Sequence, residues 1–487
     1  MKLKHSFRYI CPKNILHTDL PIALIDSLEG LPGFERDAFI NVHKNSDRIT
    51  SIRINPAKIN IAEKKSASQQ TPGHSITQLP NQPVTQLSIL PPIPWCPYGF
   101  YIPERPAFTL DPLLHAGAYY VQEASSMLIW EMLRQAVGSN THCRVLDLCA
   151  APGGKSTLLA SYFTDGLIVS NEVIKQRVSI LYENITKWGN ANTVITNNDA
   201  ADFARLENYF DVILIDAPCS GSGLFRKDAN AVHEWSTGNV NLCSGRQQRI
   251  IADALPALKQ NGLLIYSTCS YSREENEDIL KWMLHEFALE TVDIDFPPEW
   301  GVTKTGSGNT NAAGFRCWPH KMKGEGFFIA ALRKKSGEAE HTFYLREKNK
   351  KEKIPPIENW VNTGNHAIFN HKKNIHAIPA GFASDVKLLQ DKLYVKKAGI
   401  LCGVFKGSDF IPHHELALSS LLSSNAERIH FSYDEALAYL RKQDTGIAFS
   451  KKGWAVAVYN NAVLGCMKLL PGRINNYYPA EWRILKQ

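Results

Sequence analysis

Two cysteines lie in loop sequences that suit nucleophilic chemistry. Cys219 belongs to DAPCSGSG, residues 216–223, and Cys269 belongs to STCSYSREENE, residues 267–277; each motif follows an apolar run typical of a β-strand. Glycine, serine and a helix start stand beside both thiols, and a helix N-terminus lowers a thiol pKa and favours the thiolate. A thiolate can form covalent intermediates. We therefore expect both cysteines to face one crevice, whereas a buried cysteine elsewhere is usually a small hydrophobe.

A glycine turn marks a second candidate site. The segment VLDLCAAPGGKST, residues 145–157, reads as a strand, a tight turn and a helix start. Gly153 and Gly154 let the backbone approach a ligand closely, and the helix that follows offers free N–H groups to an anionic end of that ligand. The spacing of a P-loop and that of the GxGxxG dinucleotide fingerprint are both absent.

Three acids follow the turn at successive strand ends. Glu172 ends the second strand, Asp199 comes just after the third and Asp216 ends the fourth. An acid at the end of the second strand is well placed to hold a ribose diol. One such acid alone is more often a helix cap or a loop residue, but three in this order after a glycine turn favour an adenosine-type ligand.

The elements that must position these residues form an α/β domain. Short apolar runs, CRVLDL, LIVSNE, NTVITN, FDVILID and GLLIYST, alternate with segments of helical character, and GFFIAALRK reads as a closing strand. This pattern predicts a mainly parallel sheet covered on both faces. Ligand sites in such sheets lie at the carboxyl ends of the strands, where the motifs above fall.

Composition excludes several classes of protein. The chain has 487 residues, of which 44% are hydrophobic and 21% charged, so it resembles an ordinary globular protein. It lacks a run of ~18 apolar residues and an N-terminal secretory pattern, so we expect no membrane span and no signal peptide. The ten cysteines form no CxxC pair, which predicts no metal site. We expect a reducing, cytoplasmic location.

The positive charge is concentrated in the last third. The whole chain has a net charge of +7; residues 1–332 carry a net of −3 and residues 333–487 a net of +10. A basic region beside a near-neutral body suggests a handle for a polyanion, although a basic surface kept for solubility is equally consistent. In its small β-rich end, five aromatic residues are candidates for stacking on bases, or else belong to the core: Trp454, Tyr459, Tyr477, Tyr478 and Trp482.

The three motifs, in this order, resemble the RNA cytosine-5 methyltransferases of the Nol1/Nop2/Sun family. The resemblance runs from about Tyr119 to about Lys334. The beginning of the chain is similar to the family's leading extension. The tail GCMKLLPGRINNYYPAEWRIL resembles the PUA-like RNA-binding end of bacterial members that act on 16S ribosomal RNA.

The resemblance implies a Rossmann-like fold, S-adenosylmethionine as cofactor and a role for each motif. Glu172 would take the ribose hydroxyls, Asp199 the adenine side, and Asp216 would sit between cofactor and target base. Cys269 would be the nucleophile and Cys219 the second cysteine, which helps to release the product. The residues implied to wrap the methionine and ribose part are Cys149, Ala150, Ala151, Pro152, Gly153, Gly154 and Lys155.

The predicted domain order is an N-terminal α/β RNA-binding extension over 1–118, with a polar loop at 61–92, and a catalytic domain over 119–334. A charged linker over 335–353 and a C-terminal α+β, PUA-like RNA-binding region over 354–487 follow. The expected partner is ribosomal RNA or a small-subunit assembly particle, bound by a monomer. Because the glycine turn and the strand-end acids precede residue 335, we expect cofactor binding to survive loss of residues 354–487.

Three other functions stay open at this point. A transfer RNA cytosine-5 methyltransferase would use identical chemistry, so the motifs do not separate it from a ribosomal RNA enzyme. A non-catalytic assembly factor would need neither Cys219 nor Cys269. An amino-methyltransferase would carry an [ND]PP[YFW] loop where this chain has DAPCSG.

Overall fold

The computed structural model describes residues 20–45, 48–59, 90–306, 312–335, 356–371 and 373–485. The polar loop at 61–92 and the linker at 335–353 lie outside these ranges, apart from their ends. The chain begins with two helices and a small antiparallel sheet in the order β2-β1-β3. These first elements are α1 (Ile22–Ser27), α2 (Arg36–Asn45), β1 (Thr50–Ile54), β2 (Gly99–Ile102), α3 (Pro112–His115) and β3 (Tyr119–Val121).

The centre of the molecule is a mixed sheet with helices on both faces. Its strands are β4 (Arg144–Asp147), β5 (Leu167–Asn171), β6 (Thr193–Thr196), β7 (Phe210–Asp216), β8 (Leu258–Thr268), β9 (Leu289–Thr291), β10 (Val302–Thr305), β11 (Gly314–Cys317) and β12 (Phe327–Lys334). Its helices are α4 (Leu128–Ala136), α5 (Gly154–Tyr162), α6 (Lys175–Trp188), α7 (Ala229–Glu234), α8 (Thr237–Ala254) and α9 (Glu277–Glu286).

The central strands β6, β5, β4, β7 and β8 are parallel neighbours, and β12, β11 and β10 extend the sheet antiparallel beyond β8. A separate hydrophobic core lies on each face of the sheet. Successive residues of β4 pack in different cores, Val145 in one and Leu146 in the other. Side chains of a strand alternate between the two faces of a sheet. Both faces are therefore covered, as the continuous apolar runs predict.

The C-terminal region holds two four-stranded sheets. One has the order β13-β14-β16-β17 and the other β18-β19-β20-β21. The helix predicted from SYDEALAYLRKQ is present, and Ser432 and Glu435 form its capping box. The elements are β13 (His366–His371), β14 (Asn374–Pro379), α10 (Ala383–Lys392), β15 (Val395–Ala398), β16 (Ile400–Lys406), β17 (Asp409–Pro412), α11 (His414–Leu418), β18 (Arg428–His430), α12 (Tyr433–Arg441), β19 (Gly453–Tyr459), β20 (Ala462–Leu470) and β21 (Arg473–Asn476).

One C-terminal strand belongs to the central sheet. Strand β15 pairs antiparallel with β6, and the backbone of Tyr394 exchanges hydrogen bonds with Asn197 and Asn198 just beyond that pairing. The buried carboxylate of Asp385 accepts hydrogen bonds from Arg144 at 2.6 Å and from the hydroxyl of Tyr209 at 2.6 Å. The C-terminal region is thus joined to the sheet that carries the glycine turn. The structure gives no support to the expectation that this region can be removed without effect on cofactor binding.

Candidate active site

The two cysteines meet at the carboxyl ends of neighbouring strands. Strands β7 and β8 run parallel, and their pairing ends with Asp216 opposite Ser267. The loops that follow bring Cys219 Sγ to 3.1 Å from Cys269 Sγ, and both thiols are free and half-buried. The geometry therefore places both cysteines side by side at the carboxyl edge of the sheet.

The environment of Cys219 favours the protonated thiol. The hydrogen bond with Cys269, burial, and the nearby charge of Glu275 raise its pKa well above the usual value. The sequence predicts a lowered pKa for Cys219 because a helix start follows it, whereas the structure raises the pKa of this thiol. The residues after Cys219 form a short 3-10 turn, Ser222–Leu224, rather than a long helix aimed at the sulfur. A neutral Cys219 can donate or exchange a proton with a neighbour.

Asp216 lies beside the cysteines and is paired. Its Oδ2 accepts a hydrogen bond from Lys155 Nζ at 2.7 Å, and its Oδ1 accepts one from Ser267 Oγ at 2.8 Å. Although burial lowers the pKa of Lys155, the charge and hydrogen bond of Asp216 raise it on balance. Lys155 comes from the glycine turn, so its side chain joins that turn to the end of β7.

Side chains of α6 hold the glycine turn by donating hydrogen bonds to its carbonyl groups. Gly153, which precedes α5, has a φ of 115°. A residue with a Cβ would adopt this φ only with strain. The Asn184 side chain donates to the carbonyl of Pro152 at 2.8 Å, and Arg177 donates to that of Ala151. Burial raises the pKa of the half-buried Cys149 thiol, which keeps it neutral.

The N-terminal sheet supports the same turn. Arg53 of β1 is fully buried and donates from Nη2 to Thr157 Oγ1 at 2.5 Å and to the carbonyl of Gly154 at 3.2 Å. Its Nε donates to Gln122 Oε1 at 2.8 Å. The first turn of α5 is therefore held from outside the central sheet.

Two buried carboxylate oxygens near this turn have no hydrogen-bond partner. Glu172 is buried; its Oε1 accepts from the backbone of Ile174 at 2.8 Å, while Oε2 has no hydrogen-bond donor and lies 3.3 Å from the half-exposed Arg177 guanidinium. Asp147, at the end of β4, accepts from Ser156 Oγ at 2.6 Å through Oδ2, and its Oδ1 is unpartnered. Burial raises the pKa of Asp147 to about 7.

These two acceptors fit S-adenosylmethionine. Buried polar atoms in proteins nearly always have a partner, and the cofactor offers ribose hydroxyls and an ammonium as donors. Asp147 lies in the same VLDLCAAPGGKST segment but is not among the predicted site residues, because its position inside an apolar run is typical of the strand itself.

Asp199 is the least buried of the predicted acids, with 43% of its side chain exposed. Its Oδ1 accepts from the backbone of Ala201 and from Arg249, each at 3.2 Å. It therefore caps the 3-10 helix Ala200–Leu206, the alternative that the sequence left open for any one acid.

Two absences hold for the described part of the chain. It contains no group of three or more His, Cys, Asp or Glu residues arranged to hold a metal ion. Within the same ranges, no helix combines the length and apolar character that crossing a membrane requires.

Family models match three parts of the chain. Residues 135–333 match 16S rRNA methyltransferase RsmB/F, residues 20–124 match the N-terminal domain of 16S rRNA methyltransferase RsmF, and residues 426–484 match the methyltransferase RsmF PUA domain.

Curated relatives are similar over nearly their full length. The ribosomal RNA small subunit methyltransferase F of Psychromonas ingrahamii is 32% identical over 95% of this chain and 97% of the relative. The protein of the same name from Cronobacter sakazakii is 30% identical over 95% of this chain and 96% of the relative. Among solved structures, that of PH0851 is similar with a TM-score of 0.52 and 26% identity, over 64% of this chain and 66% of that chain.

These matches confirm the predicted family, the α/β methyltransferase fold with a PUA domain, the enzyme class and the cofactor S-adenosylmethionine. The predicted roles of single residues and the domain boundaries stay predictions. The chain belongs to the RsmB/F family of 16S rRNA methyltransferases.

Proposed function

We propose that this chain methylates C5 of a cytosine in 16S ribosomal RNA, with Cys269 as the nucleophile and Cys219 as the second catalytic thiol. The observation that carries this proposal is the 3.1 Å contact between the two sulfurs beside the Asp216–Lys155 pair. The family and the curated relatives support the reaction class and the ribosomal substrate.

Glu172 and Asp147 would hold the cofactor through their unpartnered oxygens, with the glycine turn at its methionine end. When bound, S-adenosylmethionine supplies an electrophilic methyl group. Asp199 lies just after β6 and caps the 3-10 helix that follows, and we assign it to the adenine side.

C5 of cytosine is a poor nucleophile, and the proposed role of Cys269 is to change that. Its sulfur forms a bond to C6, which turns the ring into an enamine and makes C5 electron-rich. Splitting one difficult step into two easier ones is the general advantage of covalent catalysis. Lys155 interacts electrostatically with Cys269, so its ammonium would stabilise negative charge on the sulfur as it attacks and as it leaves.

Asp216 and Cys219 carry out the proton transfers in this proposal. Asp216, at the end of β7, would share a proton with N3 of the base and so stabilise charge that builds up on the ring. After C5 has gained the methyl group, Cys219, which must first give its own proton to solvent, accepts the C5 proton as a thiolate. The bond between Cys269 and C6 then breaks, Cys269 leaves as a thiolate, and the aromatic ring is restored. Because the two sulfurs are in contact, Cys219, the proposed proton acceptor, lies beside Cys269, the nucleophile that leaves in this step.

The C-terminal region would hold the RNA, together with the N-terminal extension, in the domain division given above. Among the five aromatic candidates, Tyr459 and Tyr478 are buried, whereas Tyr477 is 44% exposed and its ring centre lies 4.5 Å from that of the half-buried Trp454. Lys468 lies over the Trp454 ring, 5.5 Å from its centre. Unpaired bases stack on such rings, and cations hold the phosphates.

We also propose a cytoplasmic location, which action on ribosomal RNA supports. We propose that the enzyme acts as a monomer.

Bisulfite sequencing of RNA from a strain that lacks the gene tests the proposal. We expect one cytosine of 16S ribosomal RNA to lose its methyl group, and the wild-type gene, but not Cys269→Ala, to restore it. Loss of a methyl group from transfer RNA instead would refute the assigned substrate but keep the chemistry. No change in any RNA would refute both.

A further inference from the structure

One buried carboxylate contacts both cysteine loops. Glu275 is fully buried in the 3-10 turn before α9. Its Oε2 accepts hydrogen bonds from Ser220 Oγ and from Ser270 Oγ, both at 2.5 Å. Its Oε1 accepts from the backbone of Ser220 at 2.8 Å and from Gln247 Nε2 at 3.2 Å. Four donors thus converge on one side chain.

The two serines are the direct neighbours of the two thiols. Ser220 follows Cys219, and Ser270 follows Cys269. Glu275 therefore fixes the chain one residue away from each sulfur. Gln247 adds a further brace, because its side chain also donates to the carbonyl of Pro218 at 3.0 Å.

The sheet does not hold these loops by itself. The pairing of β7 with β8 ends at Asp216 opposite Ser267, and both cysteines lie beyond that point. Two backbone bonds join the segments after this pairing: the N–H of Ala217 donates to the carbonyl of Ser267 at 2.8 Å, and the N–H of Gly223 donates to the carbonyl of Cys269 at 2.8 Å. The other described contacts that join the loops include the Glu275 carboxylate, the thiol pair and hydroxyl contacts of Ser270 with Ser220 and Ser222. In addition, the backbone N–H of Tyr271 donates to Ser222 Oγ at 2.8 Å.

Burying an acidic side chain is energetically unfavourable. Removing a carboxylate from water costs free energy unless strong hydrogen bonds compensate, and an apolar side chain would have no such cost. Here the compensating donors belong to the cysteine loops. The ionisable groups around the thiols are Asp216 of β7, Lys155 of α5, Tyr266 of β8, Cys243 of α8 and Glu275 itself.

We propose that Glu275 is a positioning residue that clamps the loops after β7 and β8 and thereby holds Cys219 and Cys269 in contact. The proposal rests on the proposed function for its purpose, because release of the product requires the second thiol beside the first. The clamp itself can be measured without RNA or cofactor.

A trivalent aryl arsenical, such as phenylarsine oxide, reports on the thiol pair. It binds two adjacent thiols with loss of one water, forming two As–S bonds, and therefore requires the sulfurs to stay close together. Arsenical affinity would be measured on the full chain for the wild type and for Cys219→Ser, which defines the signal from this pair. The test variants are Glu275→Ala and Glu275→Gln. The matched control is Glu274→Gln, because Glu274 is an exposed neighbour.

Glu275→Ala should weaken arsenical binding by roughly tenfold to hundredfold, the cost of lost hydrogen bonds to a charged group. Its kcat for methyl transfer should fall by a similar factor, while KM for the cofactor stays near the wild-type value because Glu172 and Asp147 are untouched. Glu275→Gln should retain most of both properties, since serine hydroxyls can accept hydrogen bonds from its amide. Glu274→Gln should match the wild type.

Unchanged arsenical affinity in a folded Glu275→Ala variant overturns the proposal, whatever its activity. If that variant does not fold, the double variant Ser220→Ala with Ser270→Ala replaces it: weaker arsenical binding supports the clamp and unchanged binding refutes it. If the wild type and the variants show the expected differences in arsenical affinity but the wild type methylates no RNA, the proposed function is refuted and the clamp stays supported.

Discussion

Replacing Glu172 by glutamine isolates the contribution of one carboxylate to cofactor binding. The substitution keeps the size of the side chain and the oxygen that accepts from the backbone of Ile174 at 2.8 Å. It replaces the oxygen that has no hydrogen-bond donor by an amide that cannot accept one. The change therefore falls on the atom that we assign to the ribose.

The magnitude follows from the environment of that oxygen. Its ion pair with Arg177 spans 3.3 Å, and 47% of the arginine side chain is exposed. Loss of this ion pair should therefore lower the free energy of unfolding only slightly. A hydrogen bond to a buried charged group contributes about 1.5–3 kcal/mol. We therefore expect the Kd for S-adenosylmethionine to rise roughly tenfold to hundredfold in Glu172→Gln, with little change in the free energy of unfolding.

Isothermal titration calorimetry of the full chain with the cofactor measures this change. Glu207→Gln is a matched control, because Glu207 is an exposed acid of the same domain. A folded Glu172→Gln variant that binds the cofactor as tightly as the control would refute the ribose assignment.

Three further predictions concern the thiols, the buried acid of β4 and the C-terminal contact. Cys269→Ala should abolish methyl transfer with cofactor affinity unchanged, while Cys219→Ser should accumulate a covalent RNA adduct on denaturing gels that disappears when Cys269 is also replaced. Because the pKa of Asp147 rises from 3.8 to about 7 on folding, the stability of the cofactor-free protein should fall by up to about 4 kcal/mol as pH rises from 4 to 7. Urea unfolding of Asp147→Asn should lack this slope. Asp385→Ala should lower the free energy of unfolding by about 3 kcal/mol, since it removes a buried carboxylate that accepts hydrogen bonds from Arg144 and Tyr209, and denaturant titration measures this.

Each of these predictions can fail in a definite way. Turnover by Cys269→Ala, or no adduct in the Cys219 variant with the true substrate, would remove those roles. An equal pH slope in Asp147→Asn would show that another group titrates. Unfolding of Asp385→Ala at the wild-type denaturant midpoint would mean that the contact with Arg144 contributes little.

The sequence predicts the parts of the site that local pattern encodes. Apolar runs place Glu172 and Asp216 at strand ends, and the double glycine indicates a turn that needs a positive φ. Both kinds of signal depend only on neighbours in the chain. The parallel order of the strands then brings the two cysteine loops together, because sites in such sheets gather at the carboxyl edge.

Tertiary contacts explain what the sequence does not predict. Glu275 lies in SREENE, which has the composition of an exposed charged loop, yet it is buried by serines from two separate segments. Asp147 lies within an apolar run, and the sequence does not show that one of its carboxylate oxygens has no hydrogen-bond donor. The direction of the Cys219 pKa depends on a sulfur 50 residues away in the chain.

Charge distribution alone suggests a basic appendage, but the strand pairing argues otherwise. Strand β15 continues the central sheet next to β6, and β6 leads directly to Asn197, Asn198 and Asp199 at the expected adenine side. Apolar residues of α10, among them Val386 and Leu389, share one core with β4 and β7. Removing residues 354–487 would therefore expose the edge of the sheet and open that core. Substitutions on the exposed face around Trp454 are the sharper way to test RNA binding, because they leave the sheet that holds the cofactor intact.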